Sequence, residues 1–257
     1  MSRAIVVGIA GVTCGGKSTL THLLKNMFPY AAVICQDDFY HVDASLFPKS
    51  PGNSDVPNWD CLNSIDMISM TNKVKSTIRE IQLQPKRLLI IDGFLIFNYP
   101  PLAELCDLKY FVTLTYNQCL ARRLKRSYEF PDPPGYFHNC VWPMYLLHLR
   151  EMQNQSYSKE IRYLDGSAPL DENFDAIVRS LRLLGIWPIH VVAIDFFFSF
   201  LWRAFIQCWS ILSILRTSPM SDLLELFTSI ADEQYWMKEW PWEGKQVRYW
   251  WFLHEKN

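Results

Sequence analysis

The chain has 257 residues, of which 49% are hydrophobic, with 10 tryptophans and a formal net charge of −1. That length buries one sizeable core, or one core with an appendage, and the near-neutral charge gives no electrostatic case for nucleic acid or an anionic membrane as the main partner. The seven cysteines are odd in number, scattered and without C-x-x-C spacing, which argues against a disulfide framework or a zinc site and fits a reducing, cytoplasmic setting.

The first predicted strand spans residues 4–10, with no apolar signal segment and no Arg/Ser-rich transit pattern before it. It leads into Gly11, Val12, Thr13, Cys14, Gly15, Gly16, Lys17 and Ser18, after which Thr19 continues the helical apolar spacing of residues 17–28. The loop matches G-x-x-x-x-G-K-[ST] between a strand and a helix, the arrangement of a phosphate-binding loop. Backbone N–H groups of Gly15, Gly16 and Lys17 at a positive helix end are expected to face phosphates. Lys17 is expected to reach the β/γ-phosphates, and the Ser18 hydroxyl to ligate Mg²⁺. Cys14 reads as a small loop residue rather than a redox switch.

A second strand over 31–35 runs into Gln36, Asp37, Asp38, Phe39 and Tyr40. Carboxylates at the carboxyl end of a strand in an open α/β sheet lie where ligands bind. Asp37 reads as the base for an acceptor hydroxyl and an indirect metal ligand, with Asp38 anchoring the loop; the plainer alternative is an Asp-Asp turn that only caps the next segment. Residues 43–58 carry three prolines, a glycine and several Ser, Asn and Asp, and read as a mobile loop ahead of a helix over 60–83. A third strand over 87–92 is apolar from Leu88 up to Asp92, where a Walker-B acid would organise Mg²⁺ and the attacking group.

A strand over 109–114 and a helix over 116–126 follow, the helix ending in Arg122, Arg123, Lys125 and Arg126. Arg122 and Arg126 are four apart and are expected to share a face. Guanidinium groups suit phosphate oxygens, and the Pro/Gly-bearing residues 127–135 suit a small lid; the alternative is an ordinary solvated basic face. A helix over 141–157, a strand over 160–164 and a helix over 170–184 complete an α/β alternation, which predicts a parallel sheet with helices on both faces. Residues 1–185 read as this domain.

Residues 186–257 read as an atypical apolar, Trp-rich extension. The stretch 191–215 is long enough to cross a bilayer, but Asp195 and Arg203 would each cost about 2.5–3.5 kcal/mol near its centre. Four readings stay open: a membrane anchor, a partner-binding extension, an extra helix on the core, or a non-native terminus from splicing or a gene-model error. The last is favoured, because the stretch has neither clean amphipathicity nor a clean span.

Several strings together resemble the nicotinamide riboside kinases, a branch near the uridine kinases among phosphate-loop small-molecule kinases. They are the loop at 11–18, Gln36-Asp-Asp-Phe, Trp59-Asp60, Asp92-Gly-Phe-Leu-Ile-Phe-Asn-Tyr99 and Tyr110-Phe-Val-Thr. Pro131-Asp-Pro-Pro-Gly-Tyr-Phe137, Val141-Trp-Pro-Met-Tyr145, Arg150-Glu-Met-Gln153 and Tyr163-Leu-Asp-Gly166 follow. The similarity covers residues 3–184. It implies a P-loop NTPase-type fold and phosphorylation of the ribose 5′-hydroxyl of nicotinamide riboside by ATP, or GTP as the alternative donor, with Mg²⁺. The product, nicotinamide mononucleotide, would feed NAD synthesis.

On that resemblance, Gly11 to Thr19 hold the nucleotide, Ser18 and Asp37 serve the metal, and Asp37 takes the proton. Asp37, Asp38, Phe39, Tyr40, Trp59 and Asp60 would line the riboside pocket, with Trp59 stacking on the pyridinium ring and Asp60 binding the ribose diol. Arg122 and Arg126 would contact ATP phosphates, while Arg123, Tyr128 and Glu129 close over the substrate and Ala168, Pro169 and Leu170 border the adenine. A small-molecule nucleoside is then the partner of a cytoplasmic monomer or homodimer, with no nucleic acid, and a membrane role rests on 191–215 alone. Two features depart from the family: Asp92 stands where Glu is usual, one methylene shorter, and the segment between Ser76 and Lys86 is shorter than expected. A uridine/cytidine kinase, or a catalytically weak protein whose extension binds a partner or membrane, are the alternatives.

Overall fold

The apolar run Ile5–Gly11 forms β1, the middle strand of a five-stranded sheet. Its alternation sends Val6 and Ala10 to one face and Val7 and Ile9 to the other, and all four are buried. The computed structural model describes residues 3–51, 53–84, 87–126 and 132–188. After β1 come α1 (Lys17–Met27), β2 (Ala32–Cys35), a short ribbon of β3 (Lys49–Ser50) and β4 (Asn53–Pro57), α2 (Met67–Gln82) and β5 (Leu88–Asp92). The one-turn α3 (Pro100–Ala103), β6 (Leu108–Thr113), α4 (Tyr116–Arg123), α5 (Trp142–Gln153), β7 (Ile161–Asp165) and α6 (Leu170–Leu183) complete the order.

The sheet runs β2-β5-β1-β6-β7 with every pairing parallel. Parallel sheets are covered on both faces, and here two apolar layers do so. Met70, Val74 and Ile81 of α2 join Phe97 and Met152 on the face of Val6 and Ala10. Leu20 and Leu24 of α1 join Ile177, Val178 and Leu181 of α6 on the other. Each fully buried aliphatic side chain stabilises the fold by about 1.5–3 kcal/mol. The α/β class, the five strands and helices on both faces follow the sequence expectation.

The boundaries differ in four places, the simplest being the helix expected over 141–157, which runs Trp142–Gln153. The helix expected from residue 60 begins at Met67, because the Asp66 carboxylate accepts from Ser69 N at 2.8 Å and caps it there. The loop expected over 43–58 contains the β3–β4 ribbon, with Ser50 Oγ donating to the Pro57 carbonyl at 2.8 Å; Pro, Gly and Asn mark its turn without revealing that the flanks pair. The helix expected to reach residue 126 ends at Arg123, and Lys125 N and Arg126 N bond three residues back, to Arg122 O and Arg123 O. Arg126 therefore lies past the helix that was expected to align it with Arg122.

At its far end, α6 is followed by Gly185 with φ +77° and by Ile186 packed on the α1/α6 layer. Among the described residues, no helix is long and apolar enough to cross a membrane. The stretch 191–215 and the rest of the expected extension beyond 188 lie outside the described residues, as do the lid positions 127–131.

Candidate active site

The carboxyl ends of β1, β2, β5 and β6 open onto one cleft of about 480 Å³, the place where open α/β sheets bind ligands. Its first wall is the loop after β1. Gly11 has φ +129°, and a Cβ there would lie 2.1 Å from the Val112 carbonyl oxygen of β6, so only glycine lets the loop leave the sheet this close. Gly16, with φ +99°, supplies the left-handed turn into α1. Lys17 Nζ donates to the Val12 carbonyl at 2.8 Å. Burial lowers the Lys17 pKa, opposed by the nearby carboxylates of Asp92 and Asp37.

Asp92 ends β5, in register with Ile9 of β1 and Cys35 of β2. Burial raises its pKa, while Lys17 and a hydrogen bond from the Ser18 hydroxyl oppose that rise. Asp37 and Asp38 are exposed in the turn Gln36–Phe39, and Asp37 lines the cleft. Gln36, fully buried, locks that turn to the segment following Asp92: its Oε1 accepts from Phe94 N at 2.8 Å and Leu95 N at 2.9 Å. Lys17, Ser18, Asp37 and Asp92 thus share one end of the cleft. Among the described residues, no three His, Cys, Asp or Glu side chains form a cage for a metal ion. Hard oxygen donors from Ser18, Asp37 and Asp92 fit Mg²⁺, which is commonly held by one or two protein oxygens together with substrate phosphates and waters.

The other end is aromatic and carries one buried acid. Trp59, 36% exposed, meets Tyr136 edge-on with ring centroids 5.6 Å apart. Tyr136 Oη donates to Asp60 Oδ2 at 3.1 Å. Burial raises the Asp60 pKa, and Arg123, Tyr136 and His148 oppose it. Tyr40 stacks on Phe94 at 6.5 Å, and burial pushes its hydroxyl pKa up. Arg123 bridges the two ends: it forms a bidentate pair with Asp132 at 2.6 and 2.9 Å and donates to Thr13 Oγ1 at 3.0 Å.

Of the expected site residues, the cleft collects Gly11 to Cys14, Lys17, Ser18, Asp37, Tyr40, Trp59, Asp60, Asp92, Arg123 and Arg126. Gly15, Gly16, Thr19, Asp38 and Phe39 do not line it; Phe39 packs instead against the α2 layer, and its carbonyl accepts from Asp66 N. Arg122 ties the Cys14 carbonyl (3.2 Å) to the Gly166 carbonyl (2.8 Å), so it braces the phosphate loop from behind. Ala168, Pro169 and Leu170 form the entry to α6 beyond that brace, outside the cleft. Tyr128 and Glu129 lie outside the described residues. The cleft adds residues that motif reading gave no role: Gln36 beside it, and Asn98, Asp132, Tyr136, Tyr145 and His148 on its walls. Gln36, Asn98, Asp132, Tyr136 and Tyr145 fall within strings that carry the resemblance, which was the available signal, whereas His148 lies between two of them.

No family model matches the chain. Among curated proteins, nicotinamide riboside kinase 2 of Mus musculus is 35% identical over 191 residues, covering 69% of this chain and 95% of that kinase. Nicotinamide riboside kinase 1 of Homo sapiens is 36% identical over 187 residues, covering 70% of this chain and 92% of its own. A uridine kinase of Chlamydia pneumoniae is more distant, at 24% identity over 183 residues, covering 64% of this chain and 81% of its own.

Proposed function

The chain belongs to the nicotinamide riboside kinase family, and from that we propose that it transfers the terminal phosphoryl group of ATP to the ribose 5′-hydroxyl of nicotinamide riboside, yielding nicotinamide mononucleotide. The observation that carries this reading is a single cleft with Lys17, Ser18, Asp37 and Asp92 at one end and Trp59 with the buried Asp60 at the other. The first set suits a triphosphate and a reacting hydroxyl; the second suits a ribose diol bearing a flat, cationic ring.

In the proposed step the 5′-hydroxyl oxygen attacks the γ-phosphorus in line and its proton passes to Asp37. The bond from the γ-phosphorus to the bridging oxygen breaks, and its electron pair leaves with ADP. Backbone N–H groups of the 11–18 loop and the Lys17 ammonium neutralise phosphate charge. Mg²⁺, held from Ser18 with Asp37 and Asp92 nearby, would supply further neutralisation of the phosphate oxygens. Asp92, one methylene shorter than the usual family Glu, already reaches the Ser18 hydroxyl. Arg123 and Arg126 line the route between the two ends and suit the transferring phosphates. Trp59 would stack on the pyridinium, a contact worth up to about 2 kcal/mol when desolvated.

The reading is tested by coupled ADP release from Mg-ATP with nicotinamide riboside and with uridine, using the full chain, with the product identified by mass. Turnover on the riboside with a higher kcat/KM than on uridine is the expected result. Turnover on uridine alone would overturn it in favour of a pyrimidine nucleoside kinase.

A further inference from the structure

Trp59 and Asp60 lie in no helix or strand, yet all four of their backbone polar atoms are taken by side chains. Trp59 N donates to Tyr136 Oη at 3.2 Å, and the Trp59 carbonyl accepts from Tyr40 Oη at 3.0 Å. Asp60 N donates to Asn58 Oδ1 at 2.9 Å, and the Asp60 carbonyl lies 3.0 Å from His148 Nε2. A carbonyl oxygen only accepts, so Nε2 is the donor. The frame therefore draws on three side chains distant in sequence, Tyr40, Tyr136 and His148, together with the neighbouring Asn58, and converges on two residues.

His148 is the arm that comes from α5, and it is itself held from two sides. Its Nδ1 lies 2.9 Å from Glu151 Oε2, and Asn98 Nδ2 donates to its backbone carbonyl at 2.8 Å. It is 9% exposed and lines the cleft, whereas none of these contacts reaches Lys17, Asp37 or Asp92. Fixing the Asp60 carbonyl fixes the Cα from which its carboxylate projects, and Tyr136 then orients the carboxylate itself. Displacing a substrate-holding group by about 1 Å can cost about two orders of magnitude in rate.

We infer that His148 is a positioning residue that holds the Asp60 segment for riboside capture and has no part in phosphoryl transfer. This inference rests on the riboside-kinase reading above. It places the specificity of the site partly in a side chain that need not touch the substrate.

The test is steady-state kinetics of the full-length His148→Phe and His148→Gln variants, with riboside and ATP both varied and melting curves recorded. Phenylalanine keeps a planar ring without the donor; glutamine keeps an N–H donor of similar reach. His148→Phe should raise the riboside KM about tenfold, leaving kcat and the ATP KM within about twofold. His148→Gln should recover most of that loss. An unchanged riboside KM in a folded His148→Phe protein would overturn the inference, as would a loss spread equally over kcat and both KM values, or a glutamine variant no better than phenylalanine. If His148→Phe does not fold, Glu151→Ala keeps the ring and removes the side chain facing its Nδ1; it should raise the riboside KM about threefold at constant kcat, and no change would equally overturn the inference. Wild-type turnover separates the two claims: none on the riboside sinks the functional reading together with the inference, while normal wild-type turnover confines any failure to His148.

Discussion

The two ends of the cleft are built from different materials. The end proposed to take the phosphates is made largely of backbone: Gly11 pressed against Val112, Gly16 turning into α1, and amide groups at a helix start, with Lys17 and Ser18 the next residues along. The end proposed to take the riboside is made of side chains, with Tyr40, Tyr136 and His148 from elsewhere in the chain and the neighbouring Asn58 pinning two residues of irregular backbone. Backbone geometry demands particular residues at fixed short spacing. A side-chain frame can be assembled from any positions the fold brings together, so it tolerates replacement and carries selectivity.

Substitutions should separate the two ends, and the largest effect on kcat belongs to the phosphate end. Asp37→Ala is expected to lower kcat by about 10²–10⁴-fold in a folded protein, the range typical of a lost general base, with the riboside KM little changed. Turnover close to wild type in single-turnover measurements would remove Asp37 from that role. Next in size is Trp59→Ala, which should raise the KM for nicotinamide riboside by up to about thirtyfold and that for uridine by less, because only the pyridinium offers a cation to the indole face. Equal losses on the two nucleosides would argue against stacking. Tyr136→Phe removes the hydroxyl that joins Trp59 N to the Asp60 carboxylate, and a rise of about five- to tenfold in riboside KM at constant ATP KM is expected from competition kinetics.

The smallest expected effect concerns stability. Burial raises the Asp60 pKa in the folded protein above the unfolded value of about 3.9. The folded state then binds that proton more tightly than the unfolded chain, so ionised Asp60 costs stability above its folded pKa, and the cost fades as pH falls through that pKa toward the unfolded value. Asp60→Asn should melt as high as wild type or a few degrees higher near about pH 7, with the gap closing toward acid pH, while riboside binding is lost. Arg123 keeps its bidentate partner Asp132 in that variant. A variant that melts well below wild type at neutral pH would make Asp60 a net stabiliser of the fold.

The same contrast explains what could be read from the chain. Short, mainly apolar runs separated by helical spacing announced the inner strands, β7 (Ile-Arg-Tyr-Leu-Asp) being the least apolar of the five, and the phosphate loop announced itself because Gly11, Gly16, Lys17 and Ser18 fall within eight positions. Asp37 and Asp92 were legible because each ends a strand, or follows its end closely, at the edge where ligands bind. The frame around Trp59 and Asp60 was not, since Tyr136 and His148 lie 77 and 88 residues from the atoms that they hold, and no local pattern links them. The charge of Arg122 suggested a phosphate contact and gave no sign of the hydrogen bonds its guanidinium donates to the carbonyls of Cys14 and Gly166. Gln36 passed as a neighbour of the acids, though it is the side chain that fastens their two turns together.

The central claim is that the phosphate end and the riboside end bind separate parts of the reactants and can be uncoupled. Calorimetric titration of nicotinamide riboside into the full chain and into Asp60→Asn, each saturated with a non-hydrolysable ATP analogue and Mg²⁺, tests it most directly. The account predicts riboside binding to the wild type, none to Asp60→Asn, and the same affinity of both proteins for the ATP analogue. Undiminished riboside binding by Asp60→Asn, or loss of the ATP analogue along with it, would contradict the claim.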